Sequence, residues 1–335
     1  EVLVYTLVQE RLKHGSIEEA VVGAMGILQG SYSLCIMSAQ KLIAARDPRG
    51  MRPLCMGHLG DAIVFASESC ALDALGATFD RDVAPGEVIV VDKTGKPRSL
   101  YAPKPEKSAI CVFEYIYFAR PDSVIDGASV ELARQEAGKY LSIEHPVGAD
   151  MVMGVPDSGI SAAIGYARCS GIPYGVGLIK NRYIGRTFIQ PGQDKRERSV
   201  RLKLNALQEA VRGKRVILVD DSIVRGTTCA RLIQLVRDAG ATEVHLRISS
   251  PPFRYPCFFG TDIPDKEQLL ANGRTVEEMR QMIGADSLGF LSVEAVRKIA
   301  LNCHLGFCDG CFTGKYPMDV PEQAQKNIFE SEIES

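Results

Sequence analysis

The chain has little that would tie it to a membrane, to nucleic acid or to an oxidising compartment. No stretch approaches the roughly 18 to 20 continuous apolar residues that a membrane span requires, and no basic-then-apolar leader opens the sequence. An excess of charge is missing too: 39 Lys and Arg stand against 41 Asp and Glu, a net charge of -2. That balance excludes the broad cationic face of a protein held on nucleic acid or anionic lipid, so neither is expected as a partner and any phosphate binding must be local. Ten cysteines in 335 residues are too few for a disulfide scaffold. With no secretory leader they are expected as reduced thiols in a cytoplasmic protein, unless a metal claims some of them. Internal repeats and low-complexity tracts are absent. A start signal is absent as well: Glu1 runs directly into Val2-Leu3-Val4-Tyr5-Thr6-Leu7-Val8, a half-helical apolar pattern expected to continue something upstream.

What is present suits a folded protein of more than one core, with 46% hydrophobic and 24% charged residues over a length that exceeds the usual single domain. Ser16-Ile17-Glu18-Glu19 is a capping-box pattern and predicts a helix to about Leu28. Short β-rich runs follow at Ser31 to Ser38, Lys41 to Ala45, Ala62 to Ser67 and Glu87 to Val91, with one helical insert from Cys70 to Leu75. This is an α+β piece. Pro97, Pro103 and Pro105, with Lys104 and Lys107, mark a linker. Beyond it strands and helices alternate: Met151 to Val155, a helix from Gly159 to about Arg168, Val216 to Val219, a helix from Thr227 to Ala239, and Thr242 to Arg247. Alternation of this kind predicts βαβ units and a parallel α/β sheet. The expected division is 1–105, 106–320 and an acidic tail over 321–335.

The chemistry concentrates in Val216-Ile217-Leu218-Val219-Asp220-Asp221-Ser222-Ile223-Val224-Arg225-Gly226-Thr227-Thr228. Four apolar residues make a buried strand, two acids end it, and a Gly/Thr turn opens a helix. The carboxyl end of such a strand is where open α/β sheets bind ligands, and a helix N-terminus is a ready phosphate site. Adjacent acids beside a phosphate cradle suit a ligand with cis-hydroxyls or a divalent cation. An Asp-Asp pair by itself reads more readily as solvated caps; the thirteen residues together do not. Neither a P-loop nor a dinucleotide fingerprint fits the spacing. Val155-Pro156-Asp157-Ser158-Gly159-Ile160 is a second strand-turn-helix, by itself an ordinary turn. Between the two lies a basic stretch with internal glycines, Lys180 to Gln193 and on to Lys203, by charge alone a solvated face.

These motifs resemble type I phosphoribosyltransferases. The resemblance implies that Asp220 and Asp221 hold the ribose hydroxyls and Mg²⁺ of phosphoribosyl pyrophosphate (PRPP). On the same basis Ser222, Ile223, Val224, Arg225, Gly226, Thr227 and Thr228 hold its 5-phosphate. Asp157 and Ser158 take the pyrophosphate, with Ser158 as an Mg²⁺ ligand. The basic stretch is similar to the long catalytic loop of the glutamine-PRPP amidotransferase family, which makes Lys180, Arg182 and Arg186 the catalytic cations of a closing lid. Arg46-Asp47-Pro48-Arg49-Gly50-Met51-Arg52-Pro53-Leu54 and Phe65-Ala66-Ser67-Glu68-Ser69 resemble the second half of a class II glutamine amidotransferase domain. Ahead of a phosphoribosyltransferase, that domain implies formation of 5-phosphoribosylamine and pyrophosphate from PRPP, with ammonia derived from glutamine. Purine nucleotides are the expected inhibitors and a homotetramer the expected assembly. The glutaminase nucleophile of that class is an N-terminal cysteine, and Glu1 stands here. Cys35, Cys55 and Cys70 are therefore expected to be buried small hydrophobes. The alternatives are a nucleobase salvage phosphoribosyltransferase and a non-catalytic PRPP-binding regulator; the second calls for a helix-turn-helix that the sequence does not show.

Cys308-Asp309-Gly310-Cys311 suits zinc, iron-sulfur or redox use. Spacing alone adds Cys303 and gives C-x₄-C-x₂-C, with His304 as a further zinc-type ligand. The resemblance implies a different set: in one branch of the family a [4Fe–4S] cluster is held in contexts matching Cys111, Cys257, Cys308 and Cys311. Such a cluster would be structural, with oxygen sensing as a further use, and would staple distant segments together.

Overall fold

The computed structural model describes residues 2–103, 106–181, 204–261 and 266–320. Helix α1 spans Val2–Lys13 and α2 Ile17–Met25. Ser16 caps α2 with a complete capping box: its hydroxyl accepts from the Glu19 N–H, and the Glu19 carboxylate accepts from the Ser16 N–H. Strands β1 Ser33–Met37, β2 Leu42–Arg46, β3 Cys55–Leu59, β4 Ala62–Ala66, β5 Thr78–Asp82, β6 Glu87–Val91 and β7 Pro97–Tyr101 follow, with α3 Ser69–Leu75 between β4 and β5. They form two antiparallel sheets, β1-β2-β6-β7 and β4-β3-β5. The period of two builds the layers. Ile43 and Ala45 pack with Val21 and Met25 of α2, whereas Ala44 and Ile89 pack with Leu54 and Met56 on the opposite face. Leu72 of α3 closes the far side against Cys55.

Two expectations change here. Pro97 does not begin a linker; it is the first residue of β7, paired with Val91. On an edge strand its missing N–H removes no ladder bond. Cys35 is exposed, while Cys55 and Cys70 are buried, because the alternation that turns Leu34 and Ile36 toward the core turns Cys35 away.

The next strands are β8 Ile110–Cys111, β9 Val124–Ile125, β10 Ala128–Ser129, β11 Met151–Gly154, β12 Leu178–Lys180, β13 Leu204–Ala206, β14 Arg215–Asp220, β15 Glu243–Ile248, β16 Ser287–Phe290 and β17 Phe307–Cys308. β11-β14-β15-β16 form one sheet whose neighbours are all parallel, and β12 pairs β13 in a separate antiparallel ladder. Both faces are covered. Ile217 and Val219 meet α4 Val130–Glu144 and α5 Ile160–Ser170, while Val216 and Leu218 meet the helices Thr227–Asp238 and Val276–Ile283. A strand buried on both faces is apolar at every position, which is why β14 stands out in the sequence. α4 and α5 pack backbone to backbone: a Cβ on Gly138 would lie 1.8 Å from Ala162 O.

The two halves meet through buried charge. Arg46 is fully buried, and its guanidinium donates to Arg52 O, Val83 O, Gly50 O and both Asp126 carboxylate oxygens at 2.7 to 3.0 Å. All five donors are used. Asp126 occupies a left-handed conformation (φ 46°) beside Gly127 (φ 81°) in the turn joining β9 to β10, a pairing typical of two-residue hairpin turns. Glu68 adds a second tie, accepting from Arg120 N–H at 2.7 Å and Ser123 Oγ at 2.8 Å.

Asp126→Asn preserves the turn, since Asn tolerates the left-handed region, but leaves a buried guanidinium unpaired. It is expected to lower stability by about 3 kcal/mol in denaturant unfolding. A loss below about 1 kcal/mol would show that the junction's strength lies elsewhere.

Candidate active site

Adjacent parallel strands deliver two loops to the same edge. Gly154 of β11 is in register with Val219 of β14, so residues 155–159 and 220–228 leave the sheet side by side at its carboxyl end. The Val155 N–H donates to Val219 O at 2.8 Å, and a Cβ on Gly159 would lie 2.1 Å from that oxygen. Only glycine lets the first loop cross the second strand. A cis peptide joins Pro156 to Asp157. Ser158 hydrogen-bonds the Asp220 side chain, and Lys180 Nζ, at the end of β12, donates to Asp157 Oδ2 at 2.6 Å.

The acid pair is recessed: Asp220 and Asp221 are 8% and 7% exposed. Burial first, and the neighbouring Asp221 charge second, push Asp220 well above the usual carboxylate range. Asp220 Oδ1 accepts from the Asp221 N–H at 2.9 Å, and Asp221 Oδ2 accepts from Ser222 Oγ at 2.5 Å. Two hard, desolvated carboxylates with surplus negative charge suit Mg²⁺, which takes one or two carboxylates and completes its shell with water and phosphate oxygens.

Beyond the pair the turn divides its duties. Ile223 is buried and packs in the sheet core, and Val224 O accepts from the Leu270 N–H, so these two serve by backbone and as anchors. Gly226 (φ 83°) starts the helix Thr227–Asp238, which no side chain caps. Arg225, Thr227 and Thr228 are exposed around that helix start, an anion cradle of N–H groups and hydroxyls. Arg182 and Arg186 lie outside the described residues.

A second site forms where β17 pairs in parallel with β8, setting Cys308 opposite Cys111. Cys311 O accepts from the Arg254 and Tyr255 N–H groups at 3.1 Å each, which carries the 254–257 segment alongside. Cys111, Cys257, Cys308 and Cys311 all line one small cavity, and the charges of the other three act on Cys311. Burial holds the Cys111 and Cys311 thiols far above their ordinary range and pushes Cys308 up to about 11. Four soft sulfurs around an otherwise largely apolar cavity are a donor set that fits an iron-sulfur cubane. Among the described residues no three His, Cys, Asp or Glu side chains are gathered to hold a single ion; a cluster spreads its ligands over separate iron atoms. Cys303 lies elsewhere, hydrogen-bonded to the Tyr115 side chain near Asp126 and Arg46. The segments carrying the four thiols are already joined by the β8/β17 ladder and the Cys311 carbonyl bonds, so a metal is not their only staple.

Two arginines escape sequence reasoning. Buried Arg134 of α4 donates to Tyr115 O and Ala119 O, and its charge acts on Asp221; its signal was a cation on the apolar face of Val130, Ala133 and Ala137. Arg52 borders the cysteine cavity, and nothing in its spacing announces that.

Residues 4–74 match the model of a glutamine amidotransferase domain, and residues 131–249 that of a phosphoribosyl transferase domain. The chain is 51% identical over 326 residues to the amidophosphoribosyltransferase of Bacillus subtilis (strain 168), covering 96% of this chain and 67% of that protein. It is 52% identical over 323 residues to the amidophosphoribosyltransferase of Archaeoglobus fulgidus, covering 96% and 70%. Among solved structures, the glutamine phosphoribosylpyrophosphate amidotransferase from B. subtilis complexed with ADP and GMP matches with a TM-score of 0.87 at 50% identity, over 96% of this chain and 71% of that one.

The raised Asp220 carboxyl has a testable sign. Native protein binds this proton more tightly than unfolded chain, so the site's contribution to ligand-free stability rises as pH falls through the raised value and is lost as pH climbs above it. Asp220→Asn is expected to flatten that dependence and to raise the ligand-free melting temperature at about pH 8, by roughly 2–4 °C for each 1 kcal/mol relieved. An unchanged or lower melting temperature there would show that the pair is not under strain.

Proposed function

We propose, from the premise that the chain belongs to the amidophosphoribosyltransferase family, that the buried acid pair and the two loops beside it form its PRPP site. The carrying observation is the convergence of loops 155–159 and 220–228 at one sheet edge around Asp220 and Asp221. In this reading the two carboxylates receive the ribose hydroxyls and, with Ser158, the Mg²⁺ that accompanies PRPP. The uncapped start of the helix Thr227–Asp238 takes the 5-phosphate, and Asp157 with Ser158 faces the pyrophosphate.

The nitrogen lone pair of ammonia forms the new bond to C1 of PRPP. The bond from C1 to the pyrophosphate oxygen breaks, its electron pair leaves with pyrophosphate, and the surplus ammonium proton passes to water. Little proton chemistry is asked of the protein, so rate comes from alignment and from cations on the leaving group. In this reading Lys180, which rests on Asp157, moves its charge onto the departing pyrophosphate, together with Arg182 and Arg186. Ammonia comes from glutamine through the amidotransferase half; no residue of this chain is assigned as its nucleophile. Purine nucleotides act as inhibitors; that a solved relative was complexed with ADP and GMP supports nucleotide binding, and competition at the PRPP site is part of the same proposal. Cytoplasmic location and a homotetramer belong to the same proposal. Cys111, Cys257, Cys308 and Cys311 would hold a [4Fe–4S] cluster, whose chemistry here is cross-linking and not electron transfer.

With ammonia as donor, the double variant Asp220→Asn/Asp221→Asn is expected to lose at least about 100-fold in PRPP turnover while remaining folded; near-wild-type turnover would remove the pair from the site. Protein purified without oxygen is expected to carry about four iron and about four sulfide per chain. Cys257→Ser should lose both and Cys303→Ser neither. Zinc in place of iron, or the reverse pattern between the two variants, would overturn the ligand set.

A further inference from the structure

The wall of the four-cysteine cavity is not built by the transferase half alone. Arg52, from the amidotransferase half, lines it together with the thiols, and among the described lining residues it is the only cation. Its guanidinium is fixed on three sides. One terminal nitrogen donates to Glu114 Oε1 at 2.5 Å, the other donates to Phe259 O at 2.9 Å, and its central carbon lies 5.1 Å from the Phe118 ring centre. The surrounding backbone is tied to the same place: the Cys111 N–H donates to Met51 O at 3.1 Å, and Ser31 Oγ donates to Phe259 O at 2.7 Å. Phe259 is two residues from Cys257, so Arg52 and Ser31 together hold the carbonyl that positions one thiol segment, while Met51 holds another.

A cationic fork immobilised beside four buried sulfurs has a consequence once those sulfurs are thiolates. Four thiolates bring more negative charge than an iron-sulfide core returns, and out of water that surplus needs a counter-charge. Cluster potential and stability follow net charge and nearby dipoles. Glu114 is buried beside the same guanidinium, and its carboxylate draws on the charge that would otherwise act on the cavity.

Resting on the cluster reading above, we infer that Arg52 is the counter-charge of the loaded cysteine site: a positioning residue, supplied by one half of the protein, that sets how firmly the other half keeps its cluster. Because the cation arrives with the amidotransferase half, cluster loading and docking of the halves favour each other, and the coupling is reciprocal. Loss of the cluster loosens the junction; loss of the junction exposes the cluster.

The test compares the full chain with Arg52→Gln, Arg52→Lys and Glu114→Gln, all purified without oxygen. Iron and sulfide content, the midpoint potential in a dithionite titration and the rate of bleaching in air are measured. Removing the positive charge makes electron addition harder, so Arg52→Gln is expected to shift the potential negative and to bleach several-fold faster. Arg52→Lys should restore most of both, and Glu114→Gln, which releases the guanidinium, should shift the potential the opposite way. A purely structural role predicts lower stability for both Arg52→Gln and Glu114→Gln with no opposed shifts, and that result would overturn the inference. If Arg52→Gln cannot be loaded, Arg52→Lys decides: loading restored by charge supports the inference, and equal failure sinks it. Wild-type protein without iron and sulfide would remove the cluster reading and this inference together. Loaded wild type with an unmoved potential in loaded Arg52→Gln would remove this inference alone.

Discussion

Two carboxylates on consecutive residues, sunk together at the end of one strand with 8% and 7% exposure, repel each other, and burial with that repulsion holds the Asp220 carboxyl well above its ordinary range. Among the described residues their relief is modest: Ser158 on Asp220, Ser222 on Asp221, and the charge of Arg134 from α4. None of these neutralises the pair. In the function proposed above, a metal-bound, polyhydroxylated phosphate ester that brings its own cation completes the pair. Two glycines shape the loops beside the pair. Gly159 lets one loop lie across the oxygen of Val219, and Gly226 adopts the left-handed turn that leaves a helix start uncapped.

A second use of buried charge joins the halves. Arg46 spends every donor inside the protein, two of them on an aspartate held at a conformation that few non-glycine residues adopt. Such a contact is intolerant of half measures, because either partner alone is a buried ion. Arg52 repeats the pattern with buried Glu114, while half-buried Glu68 adds neutral hydrogen bonds from the Arg120 N–H and the Ser123 hydroxyl. For a family whose reaction joins a nitrogen released in one half to a sugar held in the other, a junction specified by directional ionic bonds fixes relative placement more sharply than an apolar seam.

Much of this was readable from local pattern. The capping box at Ser16 and the apolar run ending in Asp220-Asp221 announce themselves because capping and double-faced burial leave short-range signatures. The strand Cys55–Leu59 does not, since it carries glycine and histidine and a register shift at Met56/Gly57. Helix α4 is hard to read locally because Arg134 and Gly138 interrupt its apolar face, each for a tertiary reason. Pro97 misled for the converse reason, a breaker that an edge strand tolerates. Among the cysteines, spacing favoured Cys303, which the fold places beside Tyr115; Cys111 and Cys257 meet Cys308 and Cys311 through a pairing between residues far apart in sequence. Their grouping came from family resemblance, and no local rule supplies it. Arg52 is of the same kind, a residue whose partners are all distant.

The measurement that bears most directly on the acid-pair site is a crystal structure of the chain with Mg²⁺ and a stable carbocyclic analogue of PRPP. The account predicts ribose-type hydroxyls within hydrogen-bond distance of the Asp220 and Asp221 carboxylates, the 5-phosphate over the start of the helix Thr227–Asp238, and the pyrophosphate between Ser158 and Lys180. An analogue bound away from the carboxyl ends of β11 and β14, or bound there with the acid pair untouched and no metal, would contradict it.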